Sequence, residues 1–391
     1  MAASWGKGLA MGRFYEFFAG GGMARAGFGE KWECLLANDI DAKKGASYAA
    51  NWGSSHLKIG DVSDLTAATL PGRADLAWAS FPCQDLSLAG AGAGLRGERS
   101  GAFWPFWQLI KALVADRRAP PIVVIENVCG ALTSHGGTDF AAIGDALAGS
   151  GYRFGALVID AVRFVPQSRP RLFIVGVHEG RAVPQWLTTL LPDPLLHPNS
   201  LVSAYQKLSQ KAKKGYVWWR LPETPAREST LSDLVDDDPT GVAWHTSEET
   251  LRLLSMMSPT NRSKVEQAKL AGRRMVGGIY KRTRKDKNGD RAQRAEIRFD
   301  DVAGCLRTPA GGSSRQSIMI VEGDTVRTRL LSPREAARLM GLPDSYKLPE
   351  NYNEAYHLAG DGVVVPVVRF LAAHILEPLL IAQHDLDMKA A

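Results

Sequence analysis

The residues able to do chemistry in this chain are a thiol, a carboxylate and two guanidinium groups: Cys83, Glu126, Arg169 and Arg171. Cys83 stands in Phe81-Pro82-Cys83-Gln84, directly after the apolar run Leu76-Ala77-Trp78-Ala79-Ser80, which reads as a buried strand. Proline fixes φ and has no amide donor, so the chain turns there and can hold the thiol at the rim of a cleft. That is a nucleophile's position, at the strand end where open α/β sheets bind their ligands. Lone cysteines more often pack as small hydrophobes, so the assignment depends on what else reaches the same edge.

Glu126 reaches it. The run Pro121-Ile122-Val123-Val124-Ile125 reads as a parallel-type buried strand and ends directly in Glu126-Asn127-Val128, which puts a carboxylate on that rim. A helix cap or a solvated turn is the alternative for such an acid. Arg169 and Arg171 flank a proline in Pro166-Gln167-Ser168-Arg169-Pro170-Arg171. Alternate residues of an extended segment share a face, so the two arginines can reach one polar ligand together, unless each pairs with a surface acid.

A second group of residues has the pattern of a nucleoside site. Residues 13–22, Arg-Phe-Tyr-Glu-Phe-Phe-Ala-Gly-Gly-Gly, read as a strand entering a glycine turn, with a helix from Met23. Glycines such as Gly20 and Gly22 let backbone approach a nucleotide-like ligand, and Phe18 can lie against an adenine face. The next strand ends at Asn38-Asp39, about 20 residues on, a spacing that suits an acid holding a ribose diol. A third element ends at Gly60-Asp61-Val62 and adds a carboxylate to the edge. In βα order these three features point to an adenosyl ligand. The turn lacks the Gly-Lys-Ser/Thr ending of a nucleoside triphosphate loop.

The elements that must position these groups make an α/β domain. A glycine-rich loop follows Cys83, and a helix from Phe103 packs Phe106, Leu109, Ile110 and Leu113 on the sheet. Strands are expected at 155–162 and 171–177. From about 181 the periodicity weakens, with scattered prolines and Asp236-Asp237-Asp238, as in an irregular insert. Ser332-Pro333-Arg334-Glu335 opens a later helix with a capping box.

At 391 residues, 45% hydrophobic and 23% charged, the chain has an ordinary globular composition. Its cysteines, at 34, 83, 129 and 305, show no metal-ligand spacing and no disulfide framework, so no metal and a reducing, cytoplasmic setting are expected. No membrane span is expected, because the late apolar stretch is broken by Arg369, His374 and Glu377. The net charge is +6, yet residues 272–298 alone carry ten Lys or Arg against three Asp or Glu. The basicity is one arm, a hairpin centred on Asn288-Gly289, as expected of a contact to phosphates.

The ordered set Phe18-Ala19-Gly20-Gly21-Gly22, Asn38-Asp39, Gly60-Asp61, Phe81-Pro82-Cys83-Gln84, Glu126-Asn127-Val128, Gln167-Ser168-Arg169-Pro170-Arg171 and Leu331-Ser332-Pro333-Arg334-Glu335 resembles the DNA cytosine-C5 methyltransferase family over nearly the whole chain. The resemblance implies a Rossmann-like, S-adenosylmethionine-dependent methyltransferase domain at 1–180, an inserted, smaller target recognition domain at 181–327, and a segment at 328–391 that returns to the catalytic domain. It implies Cys83 as the nucleophile toward cytosine C6, Glu126 at N3, Arg171 at O2, and Arg169 beside the thiolate or a phosphate. It implies a cofactor site of Phe18, Gly20, Gly22, Asp39, Ile40, Asp61, Val62, Pro82, Asp361 and Val363. Gln84, Arg99, Lys281, Arg282, Arg284, Lys285 and Arg315 are then the DNA-facing set. A monomer acting on double-stranded DNA is expected, with a cognate restriction endonuclease as a further partner. A tRNA cytosine methyltransferase and a catalytically silent DNA-binding regulator are the rival readings.

Three positions depart from the family pattern. Gly360-Asp361-Gly362-Val363 stands where Gly-Asn-Ser-Val is usual, Glu16 where an aspartate is usual, and Cys305-Leu306 where Thr-Leu is usual.

Overall fold

The computed structural model describes residues 12–82, 100–285, 291–307 and 315–382. These fold as two compact units, one of 1–159, 170–223 and 365–391, the other of 160–169 and 224–364.

The first unit is built on β1 (Gly12–Phe17), α1 (Met23–Phe28), β2 (Trp32–Asp39), α2 (Ala42–Trp52), β3 (Leu57–Ile59), β4 (Leu76–Ala79), α3 (Phe103–Ala115), β5 (Ile122–Val128), α4 (Thr138–Gly149), β6 (Tyr152–Asp160) and β7 (Pro170–His178). The strands make one sheet in the order β3-β2-β1-β4-β5-β7-β6. β1 to β5 pair in parallel and β7 runs antiparallel to β5. Strand order reverses between β1 and β4, and ligands bind at such a switch point, beyond the carboxyl ends of the strands.

Burial on both faces explains the apolar runs. All of β4, Leu76-Ala77-Trp78-Ala79, is buried, as are Ile122 to Asn127 of β5. On one face Phe17 meets Phe106 of α3 at 5.1 Å between ring centroids. The helical spacing expected of α3 is realised, with Phe106, Leu109, Ile110 and Leu113 all in the core. On the other face Trp78 meets Phe28 of α1 at 5.5 Å.

The unit continues through β8 (Thr188–Thr189), α5 (Asn199–Gln206), α6 (Gln210–Lys214) and β9 (Trp218–Trp219). Leu201, Ala204, Leu208 and Ala212 join the core of the sheet domain, so residues 181–223 pack with the first unit.

The second unit contains α7 (Leu231–Leu234), α8 (Ser247–Ser255), α9 (Pro259–Lys269), β10 (Met275–Lys285), β11 (Arg291–Arg298), β12 (Ser317–Glu322), β13 (Thr325–Leu330), α10 (Pro333–Leu339) and α11 (Tyr352–Asp361). The expected hairpin is part of a four-stranded antiparallel sheet, β11-β10-β12-β13. β12 pairs with β10 only over Met275 to Ile279, and beyond Ile279 the β10–β11 pair runs on as a two-stranded ribbon to Lys285↔Arg291. The Asn288-Gly289 turn lies outside the described residues. Ile279, Ala295 and Ile297 anchor the ribbon base against Leu253, Met257, Val265 and Ala268.

The capping box at Ser332 and Glu335 forms as the sequence implies. Glu335 also takes a bidentate bond from Arg329, at 2.8 and 2.6 Å, both side chains fully buried. β13 and α10 are thereby locked together, so residues 328–364 fold with the second unit. The chain returns to the first unit with α12 (Val365–Leu371) and a π turn at Ala372–Leu376. α12 approaches α1 closely, since a Cβ at Gly27 would lie 2.4 Å from Val368 Cβ. The stretch Tyr352–Ala382 is long and apolar enough to cross a membrane, but it is broken at 362–364 and half of its most apolar window is buried in the protein.

Candidate active site

The first unit gathers the nucleoside-type residues at the carboxyl ends of β1, β2 and β3. Phe18 leaves β1 in the left-handed region at φ 58°, followed by Gly20 at φ 55° and Gly22 at φ 76°. A β carbon is strained at such φ values, which explains the glycines and makes Phe18 a position where backbone strain is tolerated. A Cβ at Gly20 would meet nothing within 4 Å, so open space lies over the turn there. Asp39 holds the turn: Oδ2 accepts from Gly20 N at 2.7 Å and Oδ1 from Asp41 N at 2.8 Å. Burial pushes its pKa up, against the pull of these two amides. Asn38 donates to the Lys58 and Gly60 carbonyls at 3.1 and 3.0 Å, tying β2 to the segment that carries Asp61 and Val62. Asp61 is exposed, Val62 is buried, and Ile40 stands 67% exposed just after Asp39.

Glu16, in β1 beneath this turn, is 1% exposed. Its Oε1 accepts from Arg25 N at 3.4 Å, and its Oε2 has no hydrogen-bond partner. Burial pushes its carboxyl pKa up to about 8. A carboxyl held in the core in this way is mostly neutral at pH 7.

β4 leads through Ser80 to Phe81 and the exposed Pro82, while Cys83, Gln84 and Arg99 lie outside the described residues. The approach to Cys83 is pinned on both sides. Ser80 N donates to Phe17 O at 3.3 Å, and Phe81 meets Phe18 at 6.5 Å between rings. From β5, Asn127 Nδ2 donates to Phe81 O at 3.2 Å. Asn127 was part of a motif but had no role from sequence; its signal was only its place beside Glu126.

Glu126 is 7% exposed at the end of β5, and Arg171, in the register position opposite Val128 on β7, brings Nε to 3.4 Å from its Oε1. The two groups thus share the edge where Phe81-Pro82 departs.

Arg169 bonds to groups of the second unit. It precedes β7, its amide donates to Asp160 Oδ1 at 2.7 Å, and the residue is 2% exposed. Nη1 donates to Leu306 O at 2.9 Å and Cys305 Sγ at 3.3 Å, and Nη2 to Gly360 O at 2.8 Å and Gly362 O at 2.7 Å. Only Arg171 lies in the strand, and Arg169 stands just before it with its guanidinium on backbone carbonyls. Arg169 braces the loop of Asp361 and Val363; Asp361 is exposed at the end of α11 and Val363 is buried. Gln167, fully buried, accepts from Leu306 N at 3.1 Å and donates to Leu339 O at 2.8 Å.

Of the DNA-facing set, Lys281 and Arg282 stand on the ribbon, with Arg282 Nε 3.5 Å from Glu296 Oε2. Arg284 and Lys285 occupy the end of β10. Arg315 lies over the Tyr352 ring at 5.4 Å and donates to Asn353 Oδ1. No metal-ligand cluster of three or more His, Cys, Asp or Glu occurs among the described residues.

A doubly wound sheet with a glycine turn and an acid at adjacent strand ends, and a buried carboxylate–arginine pair on the same edge, is an architecture that nucleotide-cofactor enzymes use. The family model for C-5 cytosine-specific DNA methylases matches residues 12–377, and the chain belongs to that family. It is a DNA (cytosine-5-)-methyltransferase, and its family implies use of S-adenosylmethionine. It is similar to the type II methyltransferase M.BsuFI of Bacillus subtilis, at 25% identity over 95% of this chain and 74% of the relative. It is also similar to M.HaeII of Haemophilus aegyptius, at 25% identity over 94% and 93%, and to M.HpaII of Haemophilus parainfluenzae, at 26% over 94% and 89%. Among solved structures, the methyltransferase EhMeth of Entamoeba histolytica aligns over 95% of this chain and 99% of its own, with a TM-score of 0.62 at 13% identity. Dnmt2 of S. pombe aligns over 94% and 99% with a TM-score of 0.57 at 18% identity. Both likenesses concern the fold.

Proposed function

We infer that the protein methylates C5 of a cytosine flipped out of double-stranded DNA at a specific site, through a covalent bond between Cys83 and C6. The observation that carries this reading is the Glu126–Arg171 pair on the sheet edge from which Phe81-Pro82 leads into Cys83. Cytosine C5 is a poor nucleophile until the ring is activated. Addition of the Cys83 thiolate at C6 makes C5 enamine-like if charge arriving at N3 is met by a proton from Glu126. Arg171 holds the Glu126 carboxyl and offers its donors to O2. After methylation, loss of the C5 proton and expulsion of the thiolate restore aromaticity. A free thiol of pKa about 8.5 is only a few per cent ionised at pH 7, and nearby positive charge raises that fraction. Stacking covers C6 within a duplex, which requires the base to leave the helix.

The residues at the strand ends fit an adenosyl cofactor: the space over Gly20 admits the ligand's backbone approach, and the Asp39 carboxylate, already oriented by two amides, stands where a ribose diol would need it. Bound S-adenosylmethionine supplies an electrophilic methyl group. Phe18, Gly22, Ile40, Asp61, Val62 and Pro82 complete that side in this reading. The second unit serves as the recognition domain, with Gln84, Arg99, Arg315 and the β10–β11 ribbon toward DNA. The protein is read as a monomer, with a cognate restriction endonuclease as a further partner suggested by the type II naming of the relatives.

The test uses duplex DNA with 5-fluorocytosine in place of cytosine. Fluorine cannot leave as F⁺, so a denaturation-resistant adduct should form with cofactor present and vanish in Cys83→Ser. Methylation of ordinary duplex without any adduct would overturn the mechanism, and transfer to total tRNA in preference to duplex would overturn the substrate.

A further inference from the structure

The 20–22 turn rests on polar and aromatic side chains contributed by several separate elements of the first unit. Trp52, the last residue of α2, donates Nε1–H to the Gly21 carbonyl at 3.0 Å. Gly22 presses on the same cluster, for a Cβ there would fall 2.5 Å from Trp52 Nε1 and 2.8 Å from Tyr48 Cε2. Arg25 of α1 lies over the Trp52 ring, 5.2 Å from its centroid, and its Nη1 donates to Tyr48 Oη at 2.9 Å. His56 closes the group: its Nε2 meets Arg25 Nη1 and lies 3.1 Å from Tyr48 Oη.

We propose that Arg25, Tyr48, Trp52 and His56 form a brace that positions the 20–22 turn for the cofactor, and that the brace holds only while His56 is neutral. The proposal rests on the cofactor site assigned to that turn. The Trp52 N–H sets the direction of the Gly21 carbonyl and hence the plane of the Gly21-Gly22 peptide. A ring on a helix end does this well only if the ring is itself fixed, and the Arg25 guanidinium fixes it from above. Arg25 is in turn held by its bonds to Tyr48 and His56.

The hydrogen-bond inventory determines the state of His56. A guanidinium only donates, so the Nε2 lone pair must accept from Arg25, beside the Tyr48 hydroxyl that accepts from the same guanidinium. Nε2 is therefore unprotonated and the ring proton belongs on Nδ1, 3.4 Å from Ser55 Oγ. Protonating Nε2 would remove the acceptor and set an imidazolium against Arg25. The neighbouring ionisable groups offer no compensation. Glu16 of β1, which accepts from Arg25 N, and Cys34 of β2, whose Sγ is 3.6 Å from Tyr48 Oη, are held neutral by burial, with pKa values pushed up to about 8 and about 12. Burial, and then Arg25, push the His56 pKa below its ordinary value.

Binding of S-adenosylhomocysteine to the full chain, followed by calorimetry from about pH 5 to 8, tests the brace in wild type, His56→Gln, Trp52→Phe and Asp39→Ala. Wild-type affinity should hold above about pH 6.5 and fall at lower pH, by up to about tenfold per unit once His56 is protonated. His56→Gln keeps an acceptor and does not titrate, so its curve should lack that part of the fall. Trp52→Phe keeps the ring and removes the donor, and should weaken binding by about tenfold, raising the cofactor KM while kcat at saturation is kept. Superimposable pH curves for wild type and His56→Gln, or unchanged affinity in Trp52→Phe, would overturn the brace. Asp39→Ala separates the two readings: no loss there places the cofactor elsewhere, whereas loss there with silent brace variants leaves the site and removes the brace.

Discussion

Asn127 and Phe81 are joined by one hydrogen bond, Nδ2 to the backbone carbonyl at 3.2 Å, which ties the end of β5 to the residue two positions before Cys83. The Asn127 Oδ1 accepts from Val128 N at 2.8 Å, so the amide is oriented by its own strand. The residue beside the carboxylate thus sets where the Pro-Cys turn leaves the sheet. Asn127→Ala should slow single-turnover methyl transfer by about tenfold or more, the scale of a buried bond worth ~1.5 kcal/mol, with cofactor affinity kept. A variant that loses thermal stability but no rate would show that the bond serves the fold alone.

Glu126→Gln preserves size and can still receive Arg171, but it has no proton for N3. Methyl transfer should drop by roughly 10² to 10⁴, the range for losing a positioned general acid, while cofactor binding stays nearly the same. Titrating cofactor into the variant checks the second half. A matching fall in cofactor affinity would mean that Glu126 belongs to the other site.

Arg169→Lys should behave as a stability variant. One ammonium cannot reach the carbonyls of Leu306, Gly360 and Gly362 and the Cys305 sulfur as the planar fork does. Charge-assisted bonds of this kind contribute about 1.5–3 kcal/mol each, so losing even one should lower the denaturant midpoint measurably. An unchanged midpoint would free Arg169 for a direct role.

Glu16 gives a pH signature. Its folded pKa, near 8, lies above that of an exposed glutamate, so the folded state binds more protons than the unfolded one between the two values. Its contribution is most favourable below the unfolded pKa and is lost as pH rises toward 8. Glu16→Gln removes this slope: relative to wild type, its melting temperature should improve on going from about pH 5 to about pH 8, measured in the same buffers. Parallel curves would place the carboxyl in contact with solvent.

How much of this was legible in the sequence depends on how local each feature is. β4, β5, α3 and the capping box of α10 are carried by short runs and by residues three or four apart, and they fold as read. The strand-end positions of Asp39 and Glu126 followed, since a buried parallel strand that stops at an acid points to one edge, and Asp61 lies two residues past the exposed strand β3. The bonds of the Arg169 guanidinium to Cys305, Leu306, Gly360 and Gly362 were not legible, since these residues lie 136 or more positions away and no motif records them. Arg25, Tyr48, Trp52 and His56 were not legible either: Tyr48 and Trp52 stand four apart on α2, but no spacing ties them to Arg25 or His56. Residues 199–214 form helices too short to show a clear period, yet Leu201, Ala204, Leu208 and Ala212 bury into the first unit.

Much of the chain's excess positive charge lies on the β10–β11 ribbon beyond the point where β12 stops supporting it. Arg282 faces Arg294 directly across the strands, and Lys285 pairs in register with Arg291. Like charges placed opposite each other destabilise a hairpin, so an arrangement of this kind needs an anion to be favourable. The Arg282–Glu296 pair at 3.5 Å, half-exposed, compensates little. If the ribbon lies along a duplex, Lys281, Arg282, Arg284 and Lys285 meet phosphates, which carry no sequence information. Changing all four to alanine should then weaken binding to cognate and unrelated duplexes alike while the methylated site stays the same. Every phosphate that the variant no longer neutralises should reduce the slope of log affinity against log salt by about 0.9. Binding of wild type and the quadruple variant across a salt series decides the matter. An unchanged slope would mean that the ribbon does not touch the backbone, and a weakening confined to the cognate duplex would make it a reader of bases.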